Sequence, residues 1–131
     1  MSVPSISLVG TWILESYAIT GSDGSVRNPL GPDPIGIGIY TADGHVSAQL
    51  MRAARVGPAR DRHDYIAYVG RWSVSGDLVI HHVRLALHDD WVGTDLVRTA
   101  TLSGDRLVLE PPTTERNDVE YTSRLTWSRF R

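Results

Sequence analysis

Short runs of alternating apolar and polar residues, each ended by a turn signal, fill most of this chain. Val, Ile, Leu, Thr and Tyr dominate the runs, and stretches rich in Gly, Asp and Pro, such as 21–25 and 28–34, separate them. Turn residues at such short intervals favour strands over helices. We predict eight strands, at about 8–19, 35–41, 45–51, 65–74, 78–88, 94–102, 106–110 and 119–130.

Tight turns between consecutive strands predict an antiparallel meander. Eight strands is the number at which such a sheet usually closes into a barrel and removes its own edges. The predicted fold is therefore all-β, an eight-stranded antiparallel up-and-down β-barrel with an apolar internal cavity. A sandwich is the alternative. The length of 131 residues predicts a single domain over 1–131.

Alternation along the strands indicates which side chains face the interior. A two-residue turn at 75–76 pairs Trp72 with Val79 and Gly70 with His81. The apolar face of that hairpin is then the interior, and His82 and His88 fall on the outer face. The predicted interior residues of the hairpin are Ile66, Tyr68, Trp72, Val74, Val79, His81, Val83, Leu85 and Leu87. The same reasoning on the later hairpin places Leu96, Arg98, Ala100, Leu102, Leu107 and Leu109 inside.

The turn between the second and third predicted strands leaves two registers open. A two-residue turn at Asp43 and Gly44 groups the isoleucines of 35–39 with Val46, Ala48 and Leu50. A three-residue loop with Gly44 as a bulge groups those isoleucines with His45, Ser47, Gln49 and Met51 instead.

Three polar groups fall inside under the predicted registers: His81, Arg98 and the Tyr68 hydroxyl. Histidine titrates near neutral pH, and arginine supplies a fixed charge and a fork of donors. In an apolar cavity, Arg98 or Tyr68 could polarise a carbonyl while His81 moves a proton. The structural alternative is a hydrogen-bonded core histidine and an arginine that closes the barrel floor. The predicted ligand contacts are Trp12, Leu50, Trp72, Val83, Leu85 and Trp127.

The stretch HHVRLALHDDWVG, which begins at His81, resembles a metal site by spacing. Adjacent His81 and His82 point to opposite faces of a strand, however, and His82 and His88 lie roughly 20 Å apart along it. Asp89 and Asp90 belong to the turn. We therefore predict no bound metal.

Two further features carry arginines. Gly10-Thr11-Trp12 predicts a tryptophan that plugs one barrel end, with Arg124 or Arg129 laid across its ring. The arginine-rich segment 52–64 is predicted to be a solvated loop, and the alternative is a lid over the barrel mouth.

Composition narrows the partners. The net charge of −2 gives no electrostatic reason to expect nucleic acid or an anionic membrane. The chain has no cysteine, which removes disulfides and zinc–thiolate sites. The glycines of 31–38 open no helix, so no nucleotide or other cofactor is predicted. The first ten residues lack the pattern of a signal peptide, and we expect a cytoplasmic protein. A homodimer through the outer strand faces is left open.

Five segments of the sequence, taken together, resemble those of a known protein family. They are LVGTWILESY at 8–17, PIGIGIYTADGHVSAQLMR at 34–52, YVGRWSVSGDLVIHHV at 68–83, WVGTDLVRTATLSGDRLVL at 91–109 and RLTWSR at 124–129. In this order they resemble the lipocalin-like domain family of small bacterial and fungal proteins. The resemblance implies the barrel fold predicted above.

For function, the resemblance implies one of two activities. Some lipocalin-like barrels act in natural-product pathways as cyclases, isomerases or dehydratases on polyketide-like chains, and others bind apolar small molecules. We expect a hydrophobic small molecule in the cavity and a cofactor-free cyclisation, isomerisation or elimination. The alternatives are a passive carrier and a structural protein whose own tryptophans fill the barrel.

Overall fold

The computed structural model describes residues 4–53 and 64–131 and shows a closed antiparallel barrel in that part of the chain. In chain order the strands are β1 (Gly10–Gly21), β2 (Val26–Arg27), β3 (Ile35–Tyr40), β4 (His45–Met51), β5 (Tyr65–Ser75), β6 (Leu78–Ala86), β7 (Asp95–Ser103), β8 (Arg106–Glu110), β9 (Thr114–Arg116) and β10 (Val119–Arg129). Short 3-10 helices span Ser5–Leu8 and Asp89–Trp91.

Eight of these strands form the barrel wall, and β2 and β9 extend it at one edge each. The sheet closes because β1 pairs with β10, from Trp12 opposite Arg129 to Gly21 opposite Tyr121. The predicted eight-stranded all-β barrel is confirmed, and each predicted strand has its counterpart. No helix within 4–53 and 64–131 has both the length and the apolar character to cross a membrane.

The barrel is closed at one end by Trp12, as predicted. Its indole Nε1 donates to the carbonyl of Leu8 at 2.9 Å. The guanidinium of Arg129 lies 4.3 Å from the centre of the indole ring. That guanidinium also donates to the carbonyls of Val9 at 3.1 Å and Ser7 at 2.6 Å. Of the two predicted arginines, Arg129 is therefore the one at Trp12.

The β3–β4 connection follows the second of the two predicted registers. Gly44 takes φ 93° at the end of the loop, where a left-handed residue is needed. Ile37 consequently stands opposite Gln49 and faces outward, and Gly38 and Tyr40 face the interior. A Cβ at Gly38 would lie 3.4 Å from the Trp127 ring. The interior face of β3 therefore leaves room for a large aromatic side chain.

The β5–β6 turn lies one residue later than predicted. Ser75 stands opposite Leu78, and Trp72 stands opposite His81 rather than Val79. The shift changes cross-strand partners by two positions, so Trp72 and His81 keep their predicted faces.

A β-bulge farther along this hairpin reverses the faces at the end of β6. The register shifts between Val69 and Gly70, and a Cβ at Gly70 would lie 1.9 Å from the carbonyl oxygen of His82. Only glycine, which has no Cβ, allows the backbones of β5 and β6 to approach this closely. Beyond the bulge, Leu85 and Leu87 turn outward with 67% and 45% exposure. The prediction that Leu85 and Leu87 face the interior is therefore wrong.

The predicted loop over 52–64 falls mostly on residues 54–63, outside the described residues, and its role as a lid stays a prediction. Arg52 and Asp64, the first and last residues of the predicted loop, form an ion pair. The Arg52 Nε donates to the Asp64 carboxylate at 2.9 Å. The Arg52 guanidinium also donates to the carbonyl of Pro29 at 3.0 Å.

Candidate functional site

A cavity of about 170 Å³ lies inside the barrel. Its wall is mostly apolar, and three tyrosines, one histidine and one arginine supply the titratable groups. The residues around it are Trp12, Tyr17, Gly38, Tyr40, Val46, Leu50, Ile66, Tyr68, His81, Trp91, Arg98, Leu107, Leu109, Pro111, Leu125 and Trp127. A few polar groups in an apolar pocket are typical of a small-molecule site.

The polar centre of this cavity is a chain of three side chains. The Tyr40 hydroxyl lies 2.7 Å from Nε2 of His81, and the Tyr68 hydroxyl lies 2.6 Å from Nδ1 of the same ring. All three side chains are buried, with exposures of 4%, 3% and 8% for Tyr40, His81 and Tyr68. Both ring nitrogens of His81 are therefore engaged by tyrosines.

Strand pairing brings these side chains together. His81 on β6 stands opposite Trp72 on β5, and Tyr68 lies farther along β5 on the same face. Tyr40 ends β3, and two other strands lie between β3 and β6 in the sheet. The Trp72 indole fixes Tyr40, since its ring meets the Tyr40 ring edge-on at 5.0 Å and its Nε1 donates to the carbonyl of Thr41 at 3.1 Å.

Burial keeps the side chains of Tyr40, His81 and Tyr68 electrically neutral near pH 7. Desolvation, with smaller contributions from the charges of Arg98 and His82, lowers the pKa of His81 from 6.5 to about 3. Desolvation also raises the pKa of Tyr68 to about 12, against the opposing charge of Arg98. The pKa of Tyr40 is raised well above 10 by the same burial. His81 is thus a weak base here, which differs from the predicted role of a histidine that itself titrates near neutral pH.

The neutral state determines how many donor hydrogens Tyr40, His81 and Tyr68 can offer to a ligand. A neutral imidazole has one N–H and one nitrogen lone pair, so one tyrosine donates to His81 and the other accepts from it. The accepting tyrosine keeps its own O–H. In either tautomer of His81, therefore, one of Tyr40 and Tyr68 has a hydroxyl hydrogen that the ring does not use.

Arg98 supplies the positive charge of the cavity, as its predicted inward position requires. It stands opposite Val79 on β6, and it is partly buried. Within the described structure its guanidinium forms no ion pair, and its one hydrogen bond goes to the carbonyl of the preceding Val97 at 3.1 Å. Most of its five donor hydrogens are therefore free for a ligand or water.

The other predicted ligand contacts divide into three groups. Trp12, Leu50 and Trp127 line the cavity. Trp72 and Val83 pack in the core but do not belong to the described cavity wall. Leu85 lies on the outer face beyond the bulge and is not a cavity residue. The Nε1 of Trp127 is enclosed and has no hydrogen-bond partner in the described structure.

Sequence reasoning missed six residues of the cavity wall, and three of the six are aromatic. The aromatic ones are Tyr17, Tyr40 and Trp91, and the others are Gly38, Pro111 and Leu125. The glycines at alternate positions before Tyr40 were the available signal for Tyr40, because they mark the crowded, inward face of β3. Trp91 lies in the 3-10 helix after β6, 6.0 Å from the Tyr68 ring. The prediction that His88 faces outward is also wrong, because the bulge reverses its face. His88 is buried, and the centre of its ring lies 5.2 Å from the centre of the Trp91 ring.

The histidines of the stretch that begins at His81 do not share one face: His81 is buried, and His82 lies on the outer face. In residues 4–53 and 64–131, no group of three His, Cys, Asp or Glu side chains could hold an ion. His82 lies on the outer face as predicted, between Ser73 at 2.9 Å and Asp95 at 2.8 Å.

The site is suited to a small hydrophobic ligand, since an apolar cavity in a closed barrel offers contact area on all sides. Comparison with known proteins agrees with this architecture. No curated protein sequence matches the chain closely enough to indicate a relative. A family model described as a lipocalin-like domain matches residues 9–130, which include every strand of the barrel. The chain therefore belongs to the lipocalin-like domain family.

Proposed function

We propose that this protein binds a small hydrophobic molecule in the barrel cavity and holds the polar end of that molecule at Arg98. The observation that carries the proposal is the guanidinium of Arg98, which has no acidic partner in the described structure and lies among apolar side chains. A charge held in this way needs a partner or water, because a desolvated cation without one costs several kcal/mol. A bound polar group supplies that partner.

The volume of the cavity sets the size of the ligand. An apolar cavity of about 150 Å³ accommodates benzene in a well-studied engineered protein, and the cavity here measures about 170 Å³. The ligand is then a molecule of about one ring, or a short branched chain. A longer polyketide-like chain would extend past Tyr17, Ile66 and Trp91, which also border a second depression next to the cavity.

Titration calorimetry with benzyl alcohol and toluene tests this binding. Both probes are uncharged and contain one ring, and we expect saturable binding of one molecule per chain. Quenching of tryptophan fluorescence gives an independent signal, since Trp12, Trp91 and Trp127 line the cavity. If neither probe binds saturably by either method, the proposal is wrong.

A second candidate function is a cofactor-free isomerase, cyclase or dehydratase, and the Tyr40–His81–Tyr68 chain favours it. When Tyr68 donates to Nδ1 and Nε2–H donates to Tyr40, the Tyr40 hydroxyl can give its proton to one substrate atom. Nε2–H then replaces that proton, the Tyr68 proton moves to Nδ1, and the Tyr68 oxygen takes a proton from a second substrate atom. Every group ends neutral and His81 ends in its other tautomer, so the substrate has exchanged one proton position for another. Arg98 would stabilise negative charge that develops on a carbonyl oxygen during this transfer.

Hydrogen–deuterium exchange next to the carbonyl of acetophenone tests the second candidate. We expect the protein to accelerate the exchange, followed by proton NMR in D2O, and the Tyr40→Phe and Tyr68→Phe variants to lose the acceleration. If acetophenone binds but exchanges at the buffer rate, catalysis of this kind is excluded and the binding proposal stands.

A further inference from the structure

We infer that the cavity selects a monocarboxylate: a small acid with an apolar body of about one ring, bound through its carboxylate to Arg98 and to one tyrosine hydroxyl. This inference rests on the proposed function and narrows it from a polar group in general to one chemical class. It is carried by the charge and the donor inventory of the cavity wall.

The charge of the described cavity wall is unbalanced. Arg98 is its one permanently charged side chain, and the wall contains no Asp or Glu. Tyr17, Tyr40 and Tyr68 stay neutral near pH 7, because burial raises the pKa of each hydroxyl. A neutral ligand would displace water from the guanidinium and leave its charge uncompensated, whereas a singly charged anion would compensate it.

Donor hydrogens outnumber free acceptors among the charged groups of the described site, since Arg98 can only donate. Arg98 offers the donors of its fork, and the tyrosine that accepts from His81 offers its remaining hydroxyl hydrogen. The one N–H and the one nitrogen lone pair of the neutral His81 ring are both used by Tyr40 and Tyr68. A ligand group that only accepts satisfies this arrangement, and a deprotonated carboxylate is such a group. A carboxamide or an alcohol would bring donor hydrogens, for which the tyrosine oxygens are the acceptors in the described wall.

Shape separates a carboxylate from other anions. A guanidinium fork matches the planar pair of oxygens of a carboxylate, which allows two parallel hydrogen bonds. A phosphate monoester carries up to two negative charges and three terminal oxygens, and one arginine in an apolar wall cannot satisfy them. The neighbouring walls formed by Leu107, Leu109 and Trp127 suit an aromatic or branched apolar body.

Calorimetric titration with benzoate, benzamide, benzyl alcohol and phenyl phosphate at pH 7 tests the inference. Benzoate and benzamide have nearly the same shape and differ in charge and in donor hydrogens. We expect benzoate to bind at least tenfold more tightly than each of the other three probes, since charge-assisted hydrogen bonds are about twice as strong as neutral ones.

Variants assign the effect to Arg98. In Arg98→Gln the preference for benzoate over benzamide should disappear, and in Arg98→Lys, which keeps the charge without the fork, it should fall partway. Arg71→Gln is the matched control, because Arg71 is an exposed arginine on the outer face of β5. Circular dichroism establishes that each variant is folded, and the comparison of benzoate with the neutral probes on the unchanged protein does not depend on any variant.

The outcomes separate this inference from the proposed function. If benzyl alcohol and benzamide bind as tightly as benzoate, or if Arg98→Gln and Arg71→Gln have the same affinity for benzoate, the carboxylate inference is overturned and small-molecule binding stands. If phenyl phosphate binds most tightly, the inference is also overturned. If none of the four probes binds, the proposed function fails with it.

Discussion

The hydroxyl of Tyr40 on β3 lies 2.7 Å from Nε2 of His81 on β6, although two other strands separate β3 from β6 in the sheet. The bond therefore crosses the barrel interior rather than following the wall. Together with the 2.6 Å contact between Tyr68 and His81, this bond forms a neutral chain of three side chains. Arg98, which has no ion-pair partner in the described structure, belongs to the same cavity wall.

Removing one tyrosine hydroxyl should destabilise the fold, because a buried ring nitrogen of His81 loses its partner. We expect Tyr40→Phe and Tyr68→Phe each to lower the free energy of unfolding by about 1–3 kcal/mol. Urea denaturation measures this loss. Tyr121→Phe is the control, since the described structure gives the Tyr121 hydroxyl no hydrogen bond, and a loss of similar size there would contradict the account.

The depressed pKa of His81 predicts that stability falls on acidification. The folded pKa is about 3 and the unfolded pKa is 6.5, so between these values the unfolded chain binds a proton that the folded chain does not. The contribution of this pKa difference to the free energy of unfolding is fully present above pH 6.5 and is lost as the pH falls toward 3. Between pH 7 and pH 5 this one group should reduce the free energy of unfolding by about 2 kcal/mol.

Urea denaturation of the wild type and of His81→Gln at these two pH values isolates the effect. The variant should lose about 2 kcal/mol less than the wild type over the same interval. Imidazole NMR signals provide a second test, since His81 should not titrate between pH 8 and pH 5. A midpoint for His81 near 6.5 would contradict the neutral chain.

The closed end of the barrel should depend on Arg129 for stability but not for ligand binding. Arg129→Met removes the cation over Trp12 and two hydrogen bonds to backbone carbonyls, at a predicted cost of about 1–3 kcal/mol. Arg124→Met is the matched control. Arg124 is exposed and pairs with Glu110 at 3.2 Å on the outer face, so its loss should cost at most about 1 kcal/mol. Equal losses in thermal or urea denaturation would argue against the proposed cap.

Filling the cavity should weaken binding of the one-ring probes. Gly38 lies on the inner face of β3 against Trp127, so Gly38→Val adds methyl groups at the cavity wall. We expect affinity for benzyl alcohol to fall roughly tenfold or more, since a well-packed site tolerates little added volume. Ser47→Val adds the same side chain to the outer face of β4 and should leave affinity unchanged. Should both variants lose affinity equally, the probes bind elsewhere.

Much of this architecture could be predicted from local patterns. The eight strands and the inward faces of β7 and β8 follow from alternation and from glycine-containing turns. Alternation places Arg98 and His81 inside, because their neighbours two positions away are apolar. The same rule cannot foresee a bulge, and the extra residue opposite Gly70 therefore reversed the predicted faces of Leu85 and His88.

Tyr40 shows the other limit of sequence reasoning. Its face depended on whether the loop before β4 has two or three residues, and the three isoleucines of β3 made the wrong face look like the interior. The inward face instead carries glycines, because Leu14 and Trp127 from β1 and β10 occupy that space. Such compensation between strands far apart in the sequence is visible only once the barrel is closed.

We propose above that a small hydrophobic molecule binds inside the barrel with its polar end at Arg98. The most direct test is a crystal structure of the protein with benzyl alcohol. We expect the ring of benzyl alcohol against Trp127 and its hydroxyl within hydrogen-bonding distance of Arg98, Tyr40 or Tyr68. A structure in which the probe lies outside the barrel, or in which the protein's own side chains fill the cavity, would contradict it.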